Sequence, residues 1–302
     1  MESTSFLKSL FLALSSLLLS LWPVQPQIIP DRTLGQENSL IHPEVINGID
    51  SDRIDGGARR GNNLFHSFQD FSIGEGRGAY FSNPTGIANI FSRVTGGKIS
   101  QILGTLGVLG NANLYLLNPN GILFGPNSQL DIKGSFLATT ADSFQFSSNY
   151  AFSAVNPNIP PLLTVNIPIG LQFRKNAQAI VNQSQNGLNT EKNITLVGGD
   201  ISFDGGKIIS PSSNVNLSSI SGNGIVNLQT SENTIEVSIP ANLERGNIVF
   251  NDGSGINVRG NNSGSITINA KNLNIDGEST RLRAGITAGS ETINSQVGDI
   301  NF

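Results

Sequence analysis

Few side chains in this sequence could do chemistry, and their spacing suits it poorly. His42 and His66 are the only histidines. Neither has the H-E-x-x-H or His–carboxylate spacing that would hold zinc, so both read as surface or cap residues. The absence of cysteine excludes thiolate metal sites and disulfide staples alike. Asp50, Asp52, Asp55, Arg59 and Arg60 crowd one short stretch. Such a cluster on one face could bind Ca²⁺ or supply a paired acid and base. Lying in a polar, glycine-bearing segment, it reads instead as solvated loop charge. Asp200 and Asp204 stand beside glycines but lack the spacing of calcium-binding nonapeptides. Gly74-Glu75-Gly76-Arg77-Gly78 lacks the Lys-Ser/Thr ending of a phosphate loop and reads as a turn. No serine has the flanking glycines of a G-x-S-x-G elbow. The sequons at Asn182, Asn193, Asn216 and Asn261 mean little in a chain rich in Asn and Ser. No catalytic residue, metal ligand or cofactor is expected.

Turn formers stand out instead. Between Asn111 and Ala141, three apolar runs, Leu114–Leu117, Ile122–Phe124 and Leu130–Leu137, are separated by two near-copies of one turn. The first turn is Asn118-Pro119-Asn120-Gly121, followed by Ile122; the second is Gly125-Pro126-Asn127-Ser128. Proline presets φ near −65° in each, and the following Asn tolerates left-handed backbone. The Asn side chains are expected to bond to backbone or to stack as a ladder. Leu114–Leu117 is apolar almost throughout, as in a strand covered on both faces. In the third run Leu130 and Ile132 would face one side, and Gln129, Asp131 and Lys133 the other.

The elements positioning these turns read as short strands with no helix between them. Gly104, Gly107 and Gly110 recur every third residue, which suits turns or coil corners better than a helix. Ile194–Val197, Asp200–Phe203, Lys207–Ile209 and Val215–Leu217 are short strands between glycine or proline turns, the spacing of a three-sided coil. Gly246–Phe250, Gly264–Ile268 and Gly298–Phe302 share a Gly-polar-Ile-x-apolar pattern. Their starts lie 18 and 34 residues apart, read as one and two coils. Counting about 22 residues per coil with loops gives roughly 12 coils. At about 4.8 Å per coil the rod would be roughly 60 Å long.

The wording N-P-N-G-I-L-F-G, preceded by Arg93-Val94-Thr95-Gly96-Gly97, resembles the filamentous haemagglutinin-type two-partner secretion (TPS) domain of large exoproteins and adhesins. The resemblance runs roughly from Ile29 to Phe203, with its best block from Asn83 to Ala141. It implies an all-β, right-handed parallel β-helix with an N-terminal cap and extra-helical hairpins. It also implies a partner, an outer-membrane barrel transporter with periplasmic recognition domains, which recognises Asn118, Pro119, Asn120, Gly121 and Ile122. Export through the periplasm and outer membrane of a Gram-negative-type cell would follow, along with a possible host or neighbour-cell surface ligand. The family's second short motif, Asn-Pro-Asn-Leu, has no match here.

Three domains are expected: a signal peptide over 1–27, the secretion domain over 28–240, and further coils over 241–302 that stop as if truncated. The apolar run Ser9–Leu21 follows Lys8 and is about 13 residues, short of the roughly 20 that span a bilayer. Ile28 to Arg60 should cap the solenoid with irregular segments and short strands. Asn156-Pro157-Asn158-Ile159-Pro160-Pro161 should break into a loop or protruding hairpin. Charged residues are 13% and the net charge is −4, so no nucleic-acid or membrane-surface footprint is expected. After signal cleavage no integral membrane segment would remain. The rival function is a polysaccharide-binding or depolymerising β-helix, and an anchored surface protein held by the Leu-rich run is a third.

Overall fold

The computed structural model describes residues 27–147, 150–158, 168–230, 235–288 and 297–302. The signal-peptide reading therefore falls almost wholly outside the described residues, as does Pro160-Pro161. Among the described residues every regular element is a strand, and no helix is long and apolar enough to cross a membrane.

Most strands pair in parallel with the strand one coil away, which makes the chain a parallel β-helix. The first face stacks Asn63–Phe71, Asn89–Val94, Asn113–Leu117, Phe136–Thr139, Ile194–Gly198, Val215–Ser219, Ile266–Asn269 and Ile300–Asn301. The second face runs from Ser100–Ile102 through Ile122–Phe124, Ile180–Asn182, Ile201–Asp204 and Asn247–Asn251 to Asn272–Ile275. The third begins with Gly78–Ser82, Thr105–Leu109 and Gln129–Asp131, and ends with Lys207–Ile209, Gly255–Asn257 and Arg281–Arg283. Both sheets running through residue 240 continue without a break, since Val215–Ser219 pairs with Ile266–Asn269 and Ile201–Asp204 with Asn247–Asn251.

Eight parallel strands on the first face mean about eight coils among the described residues, not 12. The difference is chain diverted out of the coil. Leu114 pairs with Phe136, 22 positions on, but Phe136 pairs with Ile194, 58 on, and Val215 with Ile266, 51 on. The two long coils release Ser143–Phe146, Ala151–Ser153, Pro168–Phe173, Gly224–Thr230 and Ile235–Ser238 into one antiparallel sheet. The repeat reading also changes. Ile266 pairs with Ile300, so 34 residues make one coil there, whereas Ile248 lies on a different face from both.

Two cores result. Inward residues stack in a column, Leu64 on Ile90, Leu114, Phe136, Ile194, Val215 and Ile266. Their neighbours one position on, Phe65, Phe91, Tyr115 and Leu137, point outward and are buried under Phe144, Phe146, Phe152, Leu171 and Phe173 of the antiparallel sheet. Phe65 stacks on Phe91 at 5.2 Å and Phe91 on Tyr115 at 4.4 Å between ring centroids. Leu114–Leu117 is thus covered on both faces, as its unbroken apolarity suggested. Leu130–Leu137 is not one strand. It breaks at Gly134, where a Cβ would strike the Ala112 backbone, and its halves join different faces.

Other local expectations shift as well. Gly104 and Gly110 lie at corners, but Gly107 is inside Thr105–Leu109, where a side chain would collide with the Tyr80 ring. The cap includes two eight-residue strands, Ser39–Ile46 and Ile49–Gly56, paired as a hairpin. Ile28–Pro30 and Ala58–Arg60 lie antiparallel on Asn63–Phe71 and cover the edge of the first coil. Asp50, Asp52 and Asp55 therefore sit on a strand rather than a loop, and Arg60 is buried with its guanidinium on Glu37. His66 is not at the surface. It is wholly buried, with Nδ1 2.9 Å from the Ser39 hydroxyl and Nε2 unpartnered, and burial lowers its pKa to about 3.

Candidate recognition motif

Asn118 ends the strand Asn113–Leu117 and turns the chain from the first face to the second. Its backbone N–H still donates to Thr139 O at 3.0 Å, while its side chain already builds the corner. Oδ1 accepts the Asn120 N–H at 2.9 Å, an Asx-turn laid over the backbone turn in which the Gly121 N–H donates to Asn118 O at 3.1 Å. Nδ2 donates to Lys98 O at 3.0 Å and to Ser100 Oγ at 2.9 Å, both on the preceding coil. Asn120 Nδ2 donates to Gly96 O at 2.6 Å. Every polar atom of the Asn118 side chain is engaged, and the residue is 0% exposed. Pro119, Gly121 and Ile122 are buried too, and Asn120 is half-buried.

The structure thus brings all five motif residues into one corner, where the Asn side chains bond to backbone as expected, with one difference from the sequence reading. The left-handed backbone is at Gly121, with φ of 113°, and not at Asn120 or Asn127. Asn120 serves by side-chain bonding instead, as does Asn118. An Asn ladder does form, but elsewhere on the same face. Asn113 Nδ2 donates to Asn89 Oδ1, and Asn89 Nδ2 to Asn63 Oδ1, each at 3.0 Å, at the opposite end of the same strands.

The partners on the preceding coil belong to the segment that begins at Arg93. A Cβ at Gly96 would run into the Gln69 carbonyl, so only glycine lets that coil close. Among the described residues Arg93 is the largest wholly buried side chain. Its Nε donates to Ser67 Oγ at 2.8 Å, Nη1 to Ser153 O at 3.0 Å, and Nη2 to Thr33 Oγ1 at 2.8 Å and Asn158 O at 2.9 Å. Burial lowers its pKa to about 10, which leaves it charged at neutral pH. Nearby Asp31 is pushed up by burial, but bonds from Thr33, Thr95 and Ser67 outweigh this and hold its pKa below the ordinary value. One cation therefore ties the cap, the first face and the extra-helical segment together. Its only sequence signal is an arginine inside an otherwise uncharged strand. Asn156-Pro157-Asn158-Ile159 is also a near match to the second motif implied by the resemblance, with Ile in place of Leu.

The geometry of Asn118 is not unique. Asn182 Oδ1 accepts the Ser184 N–H at 3.0 Å and its Nδ2 donates to Lys207 O at 3.2 Å, a matching corner on a later coil. Among the described residues no group of three or more His, Cys, Asp or Glu is arranged to hold a metal ion.

A family model described as the TPS secretion domain matches residues 26–295. Two heme/hemopexin-binding proteins of Haemophilus influenzae are similar over a shorter span. One is 38% identical over 79 residues, 26% of this chain and 8% of the relative. The other is 37% identical over 82 residues, 27% of this chain and 8% of the relative. The match thus spans less than a tenth of either relative's length. Among solved structures, the HMW1 secretion domain from Haemophilus influenzae aligns with a TM-score of 0.49 at 20% identity, over 82% of this chain and 63% of that one. The filamentous hemagglutinin secretion domain aligns with a TM-score of 0.44 at 16% identity, over 91% and 99%. With the family model covering all but the ends of the sequence, the chain belongs to the TPS secretion domain family.

Proposed function

We propose that this chain targets a two-partner exoprotein for export. An outer-membrane barrel transporter reads Asn118–Ile122 before the segment folds, and the β-helix then forms at the cell surface as the scaffold of an adhesin-like protein. Residues 1–27 serve as the signal peptide and 28–240 as the secretion domain, with 241–302 adding coils to the same sheets. The supporting observation is burial. Asn118 has no exposed surface and no free hydrogen-bonding atom in the folded chain. A partner needing those carboxamides must meet them while the coil is open, as a chain crossing the outer membrane presents them. The depolymerising alternative gains no support from Asp50, Asp52, Asp55, Arg59 and Arg60. Arg53 engages Asp55 and Glu37 engages Arg60 within the cap, and Arg77, just before the first strand of the third face, engages Asp52.

The test is export from cells carrying the cognate transporter, comparing the parent with Asn118→Ala plus Pro119→Ala. The secreted amount should fall sharply, while purified protein still refolds with native strand content by circular dichroism. Parent-like secretion would leave the motif as a plain turn. Failure to refold would assign any defect to stability.

A further inference from the structure

The net charge of −4 hides a local basic face. Lys207, Gly255 and Arg281 stand side by side on three successive strands of the third face, as do Ile209, Asn257 and Arg283. Ile208 and Ile256 between them are buried in the core, so alternation turns Lys207, Arg281 and Arg283 outward together. Among the described residues none of these three cations is in an ion pair. Strand spacing sets Lys207 and Arg281 about 10 Å apart at their backbones. Gly255 between them has no side chain to fill the gap. The result is a trough of about 210 Å³, also lined by Ser254, Asn257 and Ser279. Ser254 is 1% exposed and its hydroxyl has no partner among the described residues. Asp252, Asp276 and Glu278 lie in the turns leading into these strands, and the Asp276 carboxylate accepts the Gly277 N–H at 2.8 Å.

We infer that this trough binds sulfate or phosphate esters carried on a polysaccharide. Two arginine forks and an ammonium match tetrahedral oxyanions, which accept several charge-assisted bonds at once. Polymer fits better than small molecule, because the trough is below the about 300–1,000 Å³ of pockets that enclose a ligand. Asn257 and Ser279 offer hydrogen bonds to sugar hydroxyls between the charges. No aromatic ring lines the site, which removes the stacking platform that single-stranded nucleic acid uses. The site is independent of Asn118 and of any transporter.

Binding of the folded chain to immobilised dextran sulfate, phosphomannan and neutral dextran tests this. Lys207→Gln with Arg281→Gln and Arg283→Gln should weaken binding to the charged polymer at least tenfold and flatten its salt dependence. Lys133→Gln with Lys175→Gln and Lys271→Gln removes the same charge from exposed sites elsewhere and should stay within twofold of the parent. Arg281→Gln alone, expected to weaken binding about threefold, keeps the test alive if the first triple variant misfolds. Binding to dextran sulfate alone assigns the site to sulfate, and to phosphomannan alone to phosphate. Equal losses in the two triple variants, equal binding to neutral dextran, or no binding to either charged polymer would overturn the inference.

Discussion

The Arg93 guanidinium lies 4.3 Å from the centroid of the Phe152 ring, although 59 positions of chain separate the two. The contact joins a strand of the β-helix to the antiparallel sheet laid over it. Four hydrogen bonds hold the same cation to Ser67, Thr33, Ser153 and Asn158. Among the described residues no carboxylate forms an ion pair with it, so these neutral acceptors and the ring face must compensate a buried charge.

Arg93→Lys keeps the charge but loses the planar fork, and a single ammonium cannot reach acceptors on all sides. The variant should lose about 3 kcal/mol of stability, a typical loss when a buried charge is left poorly partnered. Urea denaturation measures it. Proteolysis should show early cleavage between residues 150 and 158, because two of the four bonds end there. An unchanged midpoint would mean that the cap and outer sheet dock without this cation.

Phe91 tests the second core. Its ring meets Phe65, Tyr115, Phe144 and Phe146. Phe91→Ala should cost about 3–5 kcal/mol, as buried aromatic truncations do. Ile209→Ala, on the exposed side of the third face, should stay within about 0.5 kcal/mol. Similar effects from both would show that the outer sheet is loosely packed on the helix.

What could be read in advance follows how local the determinant is. Leu114–Leu117 announced its two cores because apolar side chains at successive positions leave no side for water. Leu130–Leu137 misled because Gly134 bends the chain through a contact with Ala112, on a different coil. Coil number was unreadable for a related reason. Phe136 and Ile194 are adjacent in the sheet, and in that 58-residue spacing the Pro-rich stretch 156–161 marks a break but not where the chain leaves or rejoins the coil. At the motif, the turn was legible from Pro119 and Gly121. The acceptors Gly96 O and Lys98 O were not, since any backbone carbonyl looks alike in a sequence.

His66 should make the fold acid-sensitive above the carboxylate range. Burial holds its pKa at about 3, against an ordinary 6.5, so the folded chain keeps it neutral where unfolded chains protonate it. Unfolded chains then bind more protons between those values, and stability rises with pH through that window and is lost on acidification. Asp31, Glu37 and Asp55 have lowered pKa values, so their contributions fade mainly below their ordinary 3.8 to 4.5. Asp142, raised by burial, works in the opposite direction. His66→Gln can keep the bond to Ser39 without the charge. From about pH 7 to about pH 5 the parent should lose about 2 kcal/mol more than this variant. Parallel denaturation midpoints for the two across that range would remove His66 as the cause.

Asn182 supplies the control that a secretion experiment on Asn118 needs. Both residues are 0% exposed, both accept the N–H two positions on, and both donate to a backbone carbonyl one coil away. Asn118→Ala and Asn182→Ala should therefore cost similar stability, about 1–3 kcal/mol for buried hydrogen-bonding groups left without partners. If corner strength alone governs export, the two variants should be exported alike once matched for stability. If the transporter reads the motif itself, Asn118→Ala should reduce the secreted amount several-fold more than Asn182→Ala. The amounts are read by immunoblot of medium and periplasm, with urea midpoints of both purified variants alongside. Equal export of two equally stable variants would end the recognition reading of Asn118 and leave Asn118–Ile122 as one corner among several. A gap in export without a gap in stability has no folded-state explanation. Both corners rest on the same pair of side-chain-to-backbone bonds, and the added Asn118 bond to Ser100 Oγ would show in the stability.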